Sequence, residues 1–158
     1  MLNQSEEIPG YSKRVQLRMQ TPVYRCSEEQ KGDFLQDFTK ECFAYVYQIA
    51  NSNGEINIFG KVDPEFPRKL KAFYYETNIH GPALAVFDVM AEMILTREWV
   101  GIQSTLSLRE VENYLRDQNH LNAFPNLDPT ILRVFDCLKG LEQYLHERFV
   151  LSNMKISP

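Results

Sequence analysis

The chain has few cysteines, and they are poorly arranged for structural chemistry. Cys26, Cys42 and Cys137 are odd in number and show no C-x-x-C spacing, which excludes a disulfide framework and a zinc-knuckle pattern and favours a reducing compartment. There is no G-x-x-x-x-G-K-S/T, no G-x-G-x-x-G after a strand and no H-E-x-x-H, so the motif-bearing P-loop, Rossmann and zincin enzymes drop out. A nucleophile elbow is missing too. No repeat, low-complexity tract or Pro/Gly/Ser linker divides the chain. The opening "MLNQSEEIPG" lacks a basic stretch followed by an apolar one, so it does not read as a signal peptide, and the expected location is cytoplasmic.

A surplus of positive charge is also lacking. The net charge of -4 argues against a dedicated nucleic-acid binder, whose footprint is normally basic. The one run that raises a membrane question, Pro82 to Val100, would span roughly 28 Å as a helix. It contains Asp88, Glu92, Arg97 and Glu98, and charges within a lone span are costly, so no membrane insertion is expected.

What remains is the material of one globular core. The length of 158 residues suits a single domain, and ten Phe and eight Tyr argue against disorder. Tails are expected at 1–10 and 151–158, with one domain over 11–150.

Local patterns predict a mainly α fold of about five helices with two short strands, at 14–20 and 55–62, forming a minor ribbon. "KRVQLRMQ" alternates Val15, Leu17 and Met19 with polar residues, a period of two that reads as a strand which Pro22 ends. Ser27 with Gln30 forms a capping box for a helix running to about Ile49 on Phe34, Leu35, Phe38, Cys42, Tyr45, Val46 and Ile49. "NSNG" at 51–54 is a turn that tolerates positive φ. It leads into a strand in which Ile56, Ile58 and Val62 alternate with polar residues. A further helix is predicted over Lys69–Asn78, with Phe66, Leu70, Phe73 and Tyr74 on its apolar face. Pro82 opens a helix that Gly101 ends. Ser107 with Glu110 caps a short amphipathic helix, and Asp128 with Pro129 starts a last helix to about Val150.

Candidate chemistry is sparse. On the helix at 82–100, Asp88, Glu92, Ala85, Thr96 and Trp99 share a narrow stripe on an otherwise apolar surface. That stripe either meets solvent or an arginine or lysine, or faces an internal cavity. Glu142 falls on the core face of the last helix, with His146 one turn on, so Asp88, Glu92, Glu142 and His146 are the polar-cavity candidates. A di-iron bundle would need Glu-x-x-His on two helices, whereas here Glu-x-x-x-His occurs once, and no metal or cofactor is assigned. His80 and His120 stand in polar loop sequence, not where an axial haem ligand belongs, so a haem or bilin role rests on length and class alone. Cys26 adjoins a helix N-terminus, but Glu28 and Glu29 oppose a thiolate there.

The basic 11–25 segment places Arg14 and Arg18 on one strand face, with Arg25 and Tyr24 beyond. It would suit an acidic partner or a nucleic-acid backbone, or would simply blunt an edge strand. Tyr24, Phe59, Tyr75 and Phe124 lie off the predicted core faces and, with Arg14, Arg18 and Arg25, are the interaction candidates. The expected function is that of a regulator, adaptor or assembly factor without catalytic activity, binding another protein or itself as a homodimer. A ligand-, cofactor- or metal-binding domain with a polar cavity is the alternative, and nucleic-acid binding through 11–25 the second.

Overall fold

A computed structural model describes residues 10–125 and 128–151. In chain order the elements are α1 (Lys13–Gln20), α2 (Glu28–Gln36), β1 (Cys42–Gln48), β2 (Glu55–Val62), β3 (Leu70–Thr77), α3 (Pro82–Leu95), α4 (Ile102–Thr105), α5 (Leu108–Leu115), α6 (Pro129–Phe135) and α7 (Cys137–His146), followed by a π-helical turn, Glu147–Leu151. The three strands form one antiparallel sheet in the order β1-β2-β3. The fold is therefore mixed α/β, which corrects the mainly α, all-α expectation with its minor ribbon.

Particular segments account for that correction. The 14–20 strand is α1, a helix capped by Ser12, whose hydroxyl accepts the Val15 N–H. Its Lys, Arg, Gln, Leu and Met are good helix formers, and tertiary burial of Val15 matters more than an alternation over eight residues. The helix from Ser27 stops at Gln36, and its expected second half is β1. There Phe43, Tyr45 and Tyr47 face the core in alternation, as aromatic and β-branched residues do on a pleated surface. The predicted helix over Lys69–Asn78 is β3, with Phe73, Tyr75 and Thr77 inward.

Other expectations agree with the structure. Both capping boxes form, at Ser27/Gln30 and Ser107/Glu110, and β2 covers the predicted 55–62. In the β1–β2 connection Asn51 adopts φ 59, and the Ile49 N–H donates to Gly54 O at 2.9 Å. The helix from Pro82 ends at Leu95, not Val100, because Thr96 turns its hydroxyl back onto Met93 O. The last helix breaks at Asp136 into α6 and α7. The expected tails lie outside the described residues, apart from Gly10 and Leu151. Among the described residues no helix is long and apolar enough to cross a membrane.

The core sits between the sheet and α3, which is buried nearly all round and also contacts α1, α5 and α6. Phe87 stacks edge-on against Tyr75, with ring centroids 5.0 Å apart. At the other side of the sheet's inner face, α7 supports β1 through Tyr144, which lies 5.1 Å from Tyr45. Two close approaches fix this arrangement. A Cβ at Gly60 would stand 2.4 Å from the Phe43 ring and 2.7 Å from Ala72 O, and one at Gly140 would stand 2.3 Å from the Tyr45 hydroxyl. On the outer face α2 lies across β2 and β3, with Phe34 against Phe59 and Lys31 paired to Glu76 at 3.0 Å.

Candidate functional site

Asp88 and Glu92 share α3 and both meet an arginine, whereas Thr96 caps the helix and Trp99 lies beyond it, its indole N–H on Pro67 O. Asp88 is fully buried. Its Oδ2 accepts from Arg18 Nε at 2.5 Å and from the Val23 N–H at 2.8 Å; its Oδ1 accepts from the Tyr24 N–H and the Tyr75 hydroxyl, both at 2.9 Å. Glu92, half-exposed, takes the Arg18 Nη2 at 2.9 Å. Both oxygens of Asp88 are thus spent on the protein's own donors, which is how a buried carboxylate is normally tolerated. Burial works against the charge on Arg18, but its hydrogen bonds to Glu92 and Asp88 outweigh that and raise its pKa. The Tyr75 hydroxyl, desolvated and facing the Asp88 carboxylate, is held far above its ordinary value.

The other cavity candidates do not join this network. Glu142 accepts the Gly101 and Gln103 N–H groups at 3.1 and 2.8 Å, tying α7 to the start of α4. His146 is exposed. Asp88, Glu92, Glu142 and His146 therefore do not line one cavity. Among the described residues, no cluster of three His, Cys, Asp or Glu side chains could hold a metal ion.

The interaction candidates scatter. Arg14 is exposed but donates to Tyr114 O at 2.8 Å, and Arg25 donates to Thr77 O at 3.0 Å. With Arg18 turned inward on a helix, the 11–25 segment offers no continuous basic strand face. Phe59, Tyr75 and Phe124 are buried, contrary to the expectation of exposed aromatics, and Tyr24 is half-buried. The sheet buries two of them on opposite faces: Phe59 of β2 lies under α2, and Tyr75 lies under α3 on β3, a segment expected to be helical. Among the cysteines, Cys137 is buried and its thiol pushed far up by desolvation; at Cys26, burial and then Glu76 raise the pKa, so neither is primed as a thiolate.

Concavities open on the surface of the described residues. A cleft of about 740 Å³ lies between the N-terminal end of β1, the 63–67 loop and the π-helical turn, lined among others by Lys40, Asp63, Pro64, Tyr144 and Phe149. Its Arg148 is already committed, donating to Cys42 O while its guanidinium lies 5.5 and 5.3 Å from the Phe38 and Phe149 rings. A shallower, polar hollow of about 410 Å³ is lined by Arg14, Arg116, Asp117 and His120, where Asp117 accepts from Lys13 N and contacts His120.

The feature that sequence reasoning missed is the free edge of β1. Hydrogen bonds from Val62 N to Glu41 O and from Ile49 N to Gly54 O, both 2.9 Å, set the phase of the β1–β2 ladder. In an antiparallel ladder bonded pairs alternate, so Phe43, Tyr45 and Tyr47 bond to β2. Ala44, Val46 and Gln48 turn their N–H and C=O groups outward. Among the described residues these main-chain groups have no partner. All three side chains are exposed, Val46 at 53 %. Native edges are usually blunted by Lys, Pro or a bulge. "CFAYVYQ" carries no charge and no proline, and its pairing with β2 is unbroken. That aromatic, charge-free alternation was the available signal.

No protein-family model matches this chain, and no curated protein matches it significantly.

Proposed function

We propose that this chain is a non-enzymatic protein-interaction domain, acting as a regulator, adaptor or assembly factor, and that it binds through the open edge of β1. The observation that carries this reading is the unpaired, uncharged main chain at Ala44, Val46 and Gln48. Adding a strand to such an edge supplies main-chain hydrogen bonds for affinity and alternate side-chain positions for specificity. Val46 gives the outer face an apolar anchor beside Ala44, and Phe38, 41 % exposed, lies close to the N-terminal end of the edge through its contact with Arg148. The fully buried carboxylate of Asp88 is wholly engaged in holding α1 and the 23–24 backbone, which supports a structural reading of the α3 stripe.

The test is a photo-crosslinking amino acid placed in cells at position 46, with position 71 on the exposed side of β3 as control. Adducts at 46 and none at 71 are expected. Absence of any adduct at 46 contradicts the proposal.

A further inference from the structure

We infer that the occupant of the β1 edge is β1 of a second copy of this chain, paired antiparallel about a two-fold axis at Val46 so that two three-stranded sheets become one. This rests on the reading of the edge as a binding surface and names its partner.

The register follows from which groups are free. The open residues are 44, 46 and 48, evenly spaced by two. Centred on Val46, antiparallel pairing sets Ala44 opposite Gln48 of the second copy, Val46 opposite Val46, and Gln48 opposite Ala44. All three are then bonded pairs, making about six hydrogen bonds. A slip of two residues toward the N-terminus would oppose Gln48 to Cys42. The Cys42 N–H already donates to Thr39 O at 3.0 Å, and its carbonyl already accepts from Arg148, so that register loses a pair. Arg148 therefore ends the usable edge.

The side chains accept a copy of themselves. No charge lies between Cys42 and Gln48, so the strand itself brings none into the interface and nothing on it repels its twin. On the inner face Tyr45 would stand opposite Tyr47 of the other copy, each ring already held by its own subunit: Tyr45 against Tyr144, and Tyr47 through its hydroxyl to Arg133 O at 2.6 Å. Charges flank the strand outside the paired residues: Lys40 stands beside Glu41 before β1, and Glu55, beside the hairpin end, is bonded to Gln48 at 2.6 Å. Antiparallel pairing sets the Lys40 end of each copy toward the Glu55 end of the other, whereas parallel pairing would set like ends together. An isologous contact of this kind closes as a dimer and leaves no free β1 edge.

The experiment is sedimentation equilibrium on the full chain, with cysteine crosslinking to fix the register. Wild type should move from monomer to dimer as concentration rises. Val46→Lys should remain monomeric with an unchanged circular dichroism spectrum. In a Cys26→Ser background, mild oxidation should convert most of Val46→Cys to a covalent dimer. Ala44→Cys and Gln48→Cys should each fail alone and crosslink to one another when mixed. A wild type that stays monomeric at every concentration overturns the inference, as does a dimer that survives Val46→Lys. If position 46 then crosslinks only to a foreign protein, the proposed function stands and the self-pairing falls; if it crosslinks to nothing, both fall.

Discussion

The two outer strands of the sheet are treated in opposite ways. Along β3 the chain covers its own edge around Tyr75 and just before the strand. Cys26 N donates to Tyr75 O at 2.8 Å, Tyr75 N donates to Tyr24 O at 3.1 Å, and Trp99 N reaches Arg68 O at 2.8 Å just before the strand begins. Asp88 clamps the covering segment by gripping the Val23 and Tyr24 amides from behind. Along β1, among the described residues, the Cys42 end is covered by Arg148 and Thr39, and three residues are left open. A protein that builds a buried carboxylate hub to close one edge and leaves the other uncharged has the means to protect edges. The difference points to use of the open one.

The largest effect should come from removing the clamp. Asp88→Ala leaves the Tyr75 hydroxyl and the Val23 and Tyr24 amides without their acceptor, and Arg18 with Glu92 as its remaining carboxylate. We expect a loss of about 3–5 kcal/mol in urea unfolding, with faster amide exchange at Cys26 and Tyr75 and little change at the β1 edge. Next, Gly60→Ala drives a methyl into the Phe43 ring and Ala72 O at the centre of the sheet. It should cost about 2–3 kcal/mol and disturb both edges together, and an unchanged unfolding midpoint would refute the packing described. Trp99→Phe deletes the indole N–H bond to Pro67 O, 2.7 Å long, at the covered edge. A loss of about 1 kcal/mol is expected, again read by urea unfolding. Val46→Lys, at the exposed edge, should change stability by no more than about 0.5 kcal/mol while abolishing association. That contrast separates the two edges most cleanly.

The smallest effect concerns α1, which brings Arg18 to the clamp. Hydrogen bonds from Lys13 N and then His120 hold Asp117 down at about 2, below its ordinary 3.8. Because the folded value lies below the unfolded one, this contribution is present above about pH 4 and disappears as pH falls toward 2. The unfolding midpoints of wild type and Asp117→Ala should therefore differ at neutral pH and converge in acid. Parallel titrations of the two proteins test this.

What could be read from the sequence was local. The Ser27/Gln30 and Ser107/Glu110 boxes, Pro82 after Gly81 and Asp128 before Pro129 are decided by neighbours within a turn, and they form as expected. The β1 and β3 segments are rich in aromatics that satisfy two periodicities at once. Leu35, Phe38, Cys42 and Tyr45 sit at helical spacing, yet Phe43, Tyr45 and Tyr47 alternate, and only pairing with β2 decides between them. α1 posed the reverse problem, since Ser12 has no Glu or Gln three residues on to mark its cap. The Asp88–Glu92 stripe was visible because a helix imposes its own geometry. Its partner Arg18 is separated from it by 70 residues, and nothing local links them. An edge, by contrast, belongs to a topology, and it could not be seen while β1 was read as a helix.

The hub at Asp88 also orders events in time. The segment it clamps is made early, at residues 18–24, but the carboxylate follows 64 to 70 positions later. Between the completion of β3 at Thr77 and the appearance of Asp88, β1, β2 and β3 can pair while neither outer strand is closed. Contacts of such sequence separation are entropically expensive to close and slow to form. Until α3 emerges, the nascent sheet is sticky on both sides, and the residue that makes one side safe is also the one that completes the core. For this chain, the interval before Asp88 leaves the ribosome is the period of greatest exposure to misassociation.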